Sequence, residues 1–133
     1  MSEENVEIVR RAFEDPLGRE GDAFLDAFSS DVVVEQGPAL PDARTYHGHD
    51  GLKKVISEWT QVFEGLVITP KEFIDIGDDK VLVRVHQEAQ GGGSGVPIEF
   101  DTWFIYSVTG GKIARLDMFN ERRQALEAAG LSE

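Results

Sequence analysis

Residues 96–120 read VPIEFDTWFIYSVTGGKIARLDMFN, the longest strand-like run in the chain. Gly110 and Gly111 stand between two β-rich arms, and a pair of glycines supplies the positive φ angles of a two-residue hairpin loop. Such a loop sets Lys112 opposite Thr109. Counting outward pairs Ile105 with Leu116, Trp103 with Met118 and Asp101 with Asn120, so that one face is apolar and ends in a carboxylate beside an amide. Phe104 and Tyr106 take the other face. An arm apolar on both sides suits a central strand covered twice.

Working back toward the N-terminus, residues 80–90 alternate, with Val81, Val83, Val85 and Gln87 on one side and Leu82, Arg84, His86 and Glu88 on the other. GGGSG at 91–95 is read as the hairpin tip between this strand and the next. Leu66 to Ile76 is a strand whose Pro70 belongs at an edge or a bulge, because proline cannot donate to a ladder. Val32 to Gln36 is another, stopped by Gly37-Pro38, and residues 37–48 read as loop.

Apolar residues at helical spacing mark three helices before this sheet. Val6, Val9 and Phe13 belong to the first, ended by Asp15-Pro16; Leu25 and Phe28 to a second, opened by Asp22; Leu52, Val55, Ile56, Trp59 and Phe63 to a third, capped by His49 or Asp50. A short helix from Glu121 to Ala129 closes the pattern. Gly130 suits its left-handed stop, with Leu131 folding back on Leu126. This order implies one α+β domain spanning residues 1–133, its helices on one face of a curved antiparallel sheet.

Composition narrows the function. A chain of 133 residues with 41% hydrophobic and 29% charged residues is a globular sequence. No apolar run approaches the roughly 20 residues of a membrane span. The acids among the first residues leave no signal-like start, so the cytoplasm is expected. The formal charge of −12, from 25 acids against 13 basic residues, repels phosphate backbones and anionic membranes, so neither nucleic acid nor a membrane is expected as a partner. There are no cysteines.

Four stretches, VEIVRRAFE, AFSSDVVVEQGP, YHGHDGLKKVISEW and GGKIARLDMFNE, stand in an order and spacing that resemble the SnoaL-like and ketosteroid-isomerase-like branch of the nuclear transport factor two-like superfamily, from about Val6 to Glu121. The resemblance implies a cone: a bent sheet wrapped around three helices of the N-terminal half, with an apolar pocket open at one end. It also implies a homodimer formed through the outer sheet face. Members isomerise, cyclise, hydrolyse, dehydrate or only bind, so the fold does not settle the chemistry. Asp101 falls where ketosteroid isomerases hold the developing oxyanion with an acid. Their helix-one tyrosine and strand-end base correspond here to Ala12 and Gln36, neither of which can carry that proton chemistry.

The candidate catalytic residues are Asp101, Asn120 and Gln36. Burial among Phe100 and Trp103 would raise the Asp101 pKa and let it donate a proton, with the Asn120 amide opposite it, while Gln36 and Gln87 would orient a carbonyl or a water. Trp59, Phe63, Val85, Gln87, Trp103, Leu116 and Met118 are the candidate lining of a ligand pocket. No cofactor is expected: no nucleotide loop or dinucleotide fingerprint occurs. His47-Gly48-His49-Asp50 lacks the further convergent ligands of a metal site, and no metal is expected. Three functions stay open: a cofactor-free enzyme using Asp101 as acid or base on a small apolar carbonyl compound or epoxide, a pocket protein that binds a small apolar molecule, and a dimerisation module.

Overall fold

The computed structural model of the chain describes residues 2–36, 45–91 and 95–131. Helix α1, Ser2–Ala12, turns Val9 and Ala12 into the core and ends before Asp15-Pro16. Asp22–Ala27 is a 3₁₀ helix, where an α-helix was expected. The reason is that Phe28, counted with the helical face, already opens strand β1, Phe28–Gln36, leaving only six residues for the turn. Thr45–His47 forms a short strand β2 inside the expected loop, and residues 37–44 of that loop lie outside the described residues.

Helix α2, Gly48–Val62, buries Leu52 and Val55. Its N-cap is His47, which makes no capping hydrogen bond, and the expected cap His49 instead sets its Nε2 3.0 Å from the carbonyl oxygen of Phe28. Four long strands follow: β3, Phe63–Gly77; β4, Lys80–Gly91; β5, Pro97–Thr109; and β6, Lys112–Phe119. Residues 92–94 of the glycine-rich tip lie outside the described residues.

The six strands make one curved sheet in the order β2-β1-β6-β5-β4-β3 that does not close into a barrel. It is antiparallel except where β1 runs parallel to β6. Pro70 lies on edge strand β3 beside a register shift, as its missing N–H requires. α1, the 3₁₀ helix and α2 pack on the inner face around Val32, Val34, Val81, Val83, Val85, Phe104 and Tyr106. Helix α3, Arg122–Ala128, covers part of the opposite face, where Ala125 and Leu126 meet Leu82, Ile105 and Phe119. The helices are therefore not all on one side. α3 stops as expected: Gly130 has φ +76°, Gly130 N donates to the Glu127 carbonyl at 3.1 Å and Leu131 N to that of Leu126 at 2.8 Å.

The hairpin of β5 and β6 departs from the counted register. Thr109 faces Lys112 and Val108 faces Ile113, as a Gly110-Gly111 loop demands, but Ser107 then faces Arg115. Ala114 is the extra residue of a β-bulge, and it shifts every pair beyond it by one. Leu116 consequently faces Tyr106, Met118 faces Phe104, and Trp103 faces Phe119. A slip of one residue exchanges the two faces of the partner strand. Asp101, Trp103 and Ile105, expected inward, lie outward, while Phe100, Thr102, Phe104 and Tyr106 turn in.

Candidate functional site: an inner cavity beneath an outer ion cluster

A cavity of about 60 Å³ lies between the inner helices and the sheet. α1 and the turn after it contribute Ala12, Phe13, Pro16 and Leu17; Phe24 and Phe28 close one side; α2 presents Leu52, Val55, Ile56 and Trp59. The floor is Ile68, Gln87, Phe104, Tyr106, Leu116 and Met118, one inward position after another on β3, β4, β5 and β6. Of the residues expected around a pocket, Trp59, Gln87, Leu116 and Met118 stand on this wall. Val85 is fully buried in the core beside it, and Phe63 stacks on Trp59 with centroids 5.2 Å apart. Trp103 is on the other face, packed against the outer cluster of Leu82, Ile105 and Leu126.

Besides the Trp59 indole N–H, two side chains bring polarity to the wall. Gln87, 1% exposed, donates from Nε2 to Thr102 Oγ1 at 2.9 Å, and its carbonyl Oε1 is buried with no hydrogen-bond partner among the described residues. Tyr106, 4% exposed, is surrounded by rings, with Phe13 at 5.8 Å and Phe104 at 6.3 Å. Burial pushes its phenol pKa far up, so the hydroxyl stays protonated.

Asp101 lies on the outer face, half-buried, and pairs with a histidine directly across the ladder. His86 Nδ1 is 2.8 Å from Asp101 Oδ1, and Arg84 Nη1 donates to Asp101 Oδ2 at 3.3 Å. The His86 hydrogen bond is the main reason that the Asp101 pKa falls below the usual carboxylate value, opposite to the expected rise. The same bond raises the His86 pKa, assisted by the charges of Asp101, Glu99 and Glu88. Asp101 is thus an ionised partner of Arg84 and of a histidine whose charged form it favours, and the expected donor acid becomes a surface acceptor.

Asn120 is exposed beyond the end of β6, displaced by the bulge from the place opposite Asp101. Gln36 continues the inward row of Val32 and Val34 but is half-buried at the end of β1, off the cavity wall. Among the described residues, one group of possible metal ligands brings its atoms within 4.8 Å of one another: His86, Glu88 and Glu99. Both glutamates are solvent-exposed. Counting missed Thr102, Phe104 and Tyr106 as inner-face residues. The clean alternation of β4 was the available signal, because a strand paired to Gln87 and Val85 must send Phe100 and Thr102 to their side.

No helix among the described residues is long and apolar enough to cross a membrane. A comparison with curated proteins finds no match. Solved structures share the fold. TerC co-crystallised with polyporic acid superposes with a TM-score of 0.75 at 22% identity, over 96% of this chain and 98% of that one. A candidate SnoaL-like polyketide cyclase from Jannaschia sp. CCS1 gives 0.74 at 15% identity over 99% and 95%. AclR, a candidate hydroxylase from Streptomyces galilaeus, gives 0.70 at 14% identity over 100% and 89%. The model of the SnoaL-like domain matches residues 9–116, from the buried face of α1 to the inward Leu116 of β6, and the chain belongs to that family.

Proposed function

We propose that the protein holds a small, largely apolar molecule in the inner cavity without transforming it. The carrying observation is the wall itself: aliphatic and aromatic on every contributing element, with side-chain polarity confined to the Gln87 amide, the Tyr106 hydroxyl and the Trp59 indole N–H. Such a lining with a few placed polar groups is what small-molecule sites present. Acid or base catalysis needs a titrating group within hydrogen-bond reach of the substrate. The one titratable residue among the described lining residues is Tyr106, which burial holds neutral. Asp101 is ionised on the far side of the sheet, so a catalytic role for it finds no support in the geometry. The family resemblance to TerC, which was co-crystallised with polyporic acid, agrees with a small-molecule occupant.

The cavity is smaller than the roughly 150 Å³ dry cavity that takes a benzene ring, so an aromatic guest enters by displacing side chains such as the flexible Met118. The test uses Trp103→Phe, which leaves Trp59 on the wall as the one indole. Titration with small aromatic compounds is expected to change Trp59 emission saturably and to leave the compound intact on recovery. A chemically altered compound, or no saturable change across the panel, would overturn this reading.

We also infer a homodimer through the outer sheet face, as the family resemblance implies. Val67 and Ile74 of β3 supply exposed apolar surface, at 50% and 37% exposure, on the face that carries Glu88 and Leu82. Sedimentation should show a dimer that Val67→Glu weakens; a monomer at all concentrations would contradict it.

A further inference from the structure

The hydrogen bond between Gln87 and Thr102 does more than fill the core. An amide has two unlike halves, a donating NH2 and an accepting carbonyl, and a contact that takes up one leaves the other over. Here the NH2 is spent on Thr102 Oγ1 at 2.9 Å, and the left-over half is the carbonyl Oε1, buried and without a partner among the described residues. A buried acceptor without a donor is an uncommon and costly state, and most native proteins avoid it. This one belongs to Gln87, a residue of the cavity wall.

From this we propose that the occupant is a hydrogen-bond donor, an aromatic compound carrying a hydroxyl or N–H group, and that Thr102 favours it by taking up the NH2 of the Gln87 amide and so leaving the carbonyl over. The inference rests on the cavity reading above and goes further by naming the polarity of the guest. Thr102 does not touch the ligand. It acts through Gln87 as a positioning residue: as long as its hydroxyl accepts from Nε2, the carbonyl remains for the guest. Phenols, enols and anilines then regain a hydrogen bond on entry, whereas ethers, esters and ketones bring an acceptor against an acceptor. Thr102 is itself 1% exposed, so neither member of the pair can turn to water instead.

The experiment compares four probes of nearly equal shape, phenol, aniline, anisole and toluene, by Trp59 emission in the Trp103→Phe protein. Phenol and aniline are expected to bind about five- to tenfold more tightly than toluene, the ratio set by one net neutral hydrogen bond, and anisole no better than toluene. Gln87→Leu should collapse phenol and toluene to one affinity. Thr102→Val frees the amide to turn, so anisole should gain and the gap to phenol should narrow. Thr102→Ser keeps the hydroxyl and should restore the original order, which separates positioning from mere packing. Equal binding of phenol and anisole, a preference that survives Gln87→Leu, or a gap unmoved by Thr102→Val overturns the inference while leaving the cavity reading intact. Failure of all four probes to bind overturns both.

Discussion

Gln87 with Thr102, and His86 with Asp101, are polar pairs built on the same two strands one residue apart, yet they live in different worlds. The inner pair is 1% exposed at both members, held by one neutral hydrogen bond and left with an orphan carbonyl. The outer pair is a charged contact with Arg84 and Glu99 close by and water within reach. The pleat alone separates them. What the difference teaches is that the sheet's two faces allot separate tasks: the inner face can afford only a few polar atoms, each of consequence, while the outer face tolerates a crowd of charges that screen one another.

The sharpest way to break that comparison is to truncate neighbouring aromatic residues that face opposite ways. Phe104 is 6% exposed and contacts the cavity, Tyr106 and Met118's strand; Trp103 is half-buried beside Leu126. Phe104→Ala should cost about 3–5 kcal/mol, the range for deleting a buried ring, and, by enlarging the cavity, should change probe affinity. Trp103→Ala should cost clearly less, because the truncated site opens toward solvent, and should leave probe affinity in place. Urea denaturation followed by far-UV circular dichroism measures both. Equal losses would mean that the outer cluster under α3 is as much a core as the inner one.

A smaller effect is expected at Gly18, on the rim rather than the floor. Its φ of +65° already disfavours any side chain, and a Cβ placed there would come 2.5 Å from Phe24 Cε1. Phe24 lines the cavity, so Gly18→Ala must push that ring. Strain of a left-handed alanine costs about 1–2 kcal/mol, and the displaced ring should change phenol affinity several-fold while the melting transition stays cooperative. Unchanged affinity would show that Phe24 does not border the bound guest.

Most elements were legible because their signals are local. The stop at Asp15-Pro16, the alternation of Val81 to Gln87, the turn at Gly110-Gly111 and the closure at Gly130 each follow from the chemistry of a few adjacent residues. The site was less legible because it depends on which way β5 faces, and β5 is apolar on both sides. Asp101 and Trp103 looked inward as long as the hairpin was counted without interruption. A single additional residue, Ala114, turned Leu116 and Met118 to the side of Tyr106 and Phe104 and left Asp101 and Trp103 outside, and nothing about an alanine between Ile113 and Arg115 announces a bulge. Gln87 was placed correctly because its own strand alternates, and the constraint it imposes on Thr102 across the ladder was stronger than the count from the distant turn.

The mildest expected effect concerns the outer pair alone. His86 has its pKa raised above the ordinary 6.5 by Asp101, so its share of stability is fully present below 6.5 and is lost as pH rises through the higher folded value. Asp101 has its pKa lowered below the ordinary 3.8, so its share is present above 3.8 and is lost as pH falls through the lower folded value. The pair therefore contributes most between those two ordinary values and fades on either side. Asp101→Asn removes the largest cause of the His86 shift. The His86 ring resonances, followed by NMR, should then titrate nearer the ordinary value, although Glu99, 3.1 Å from Nε2, retains part of the rise. Because the change happens on the outer face, phenol affinity at neutral pH should match that of the unaltered protein. An affinity that moved with the His86 titration would mean that the two faces communicate through the strand they share, and the separation drawn between Gln87 and His86 would have to be given up.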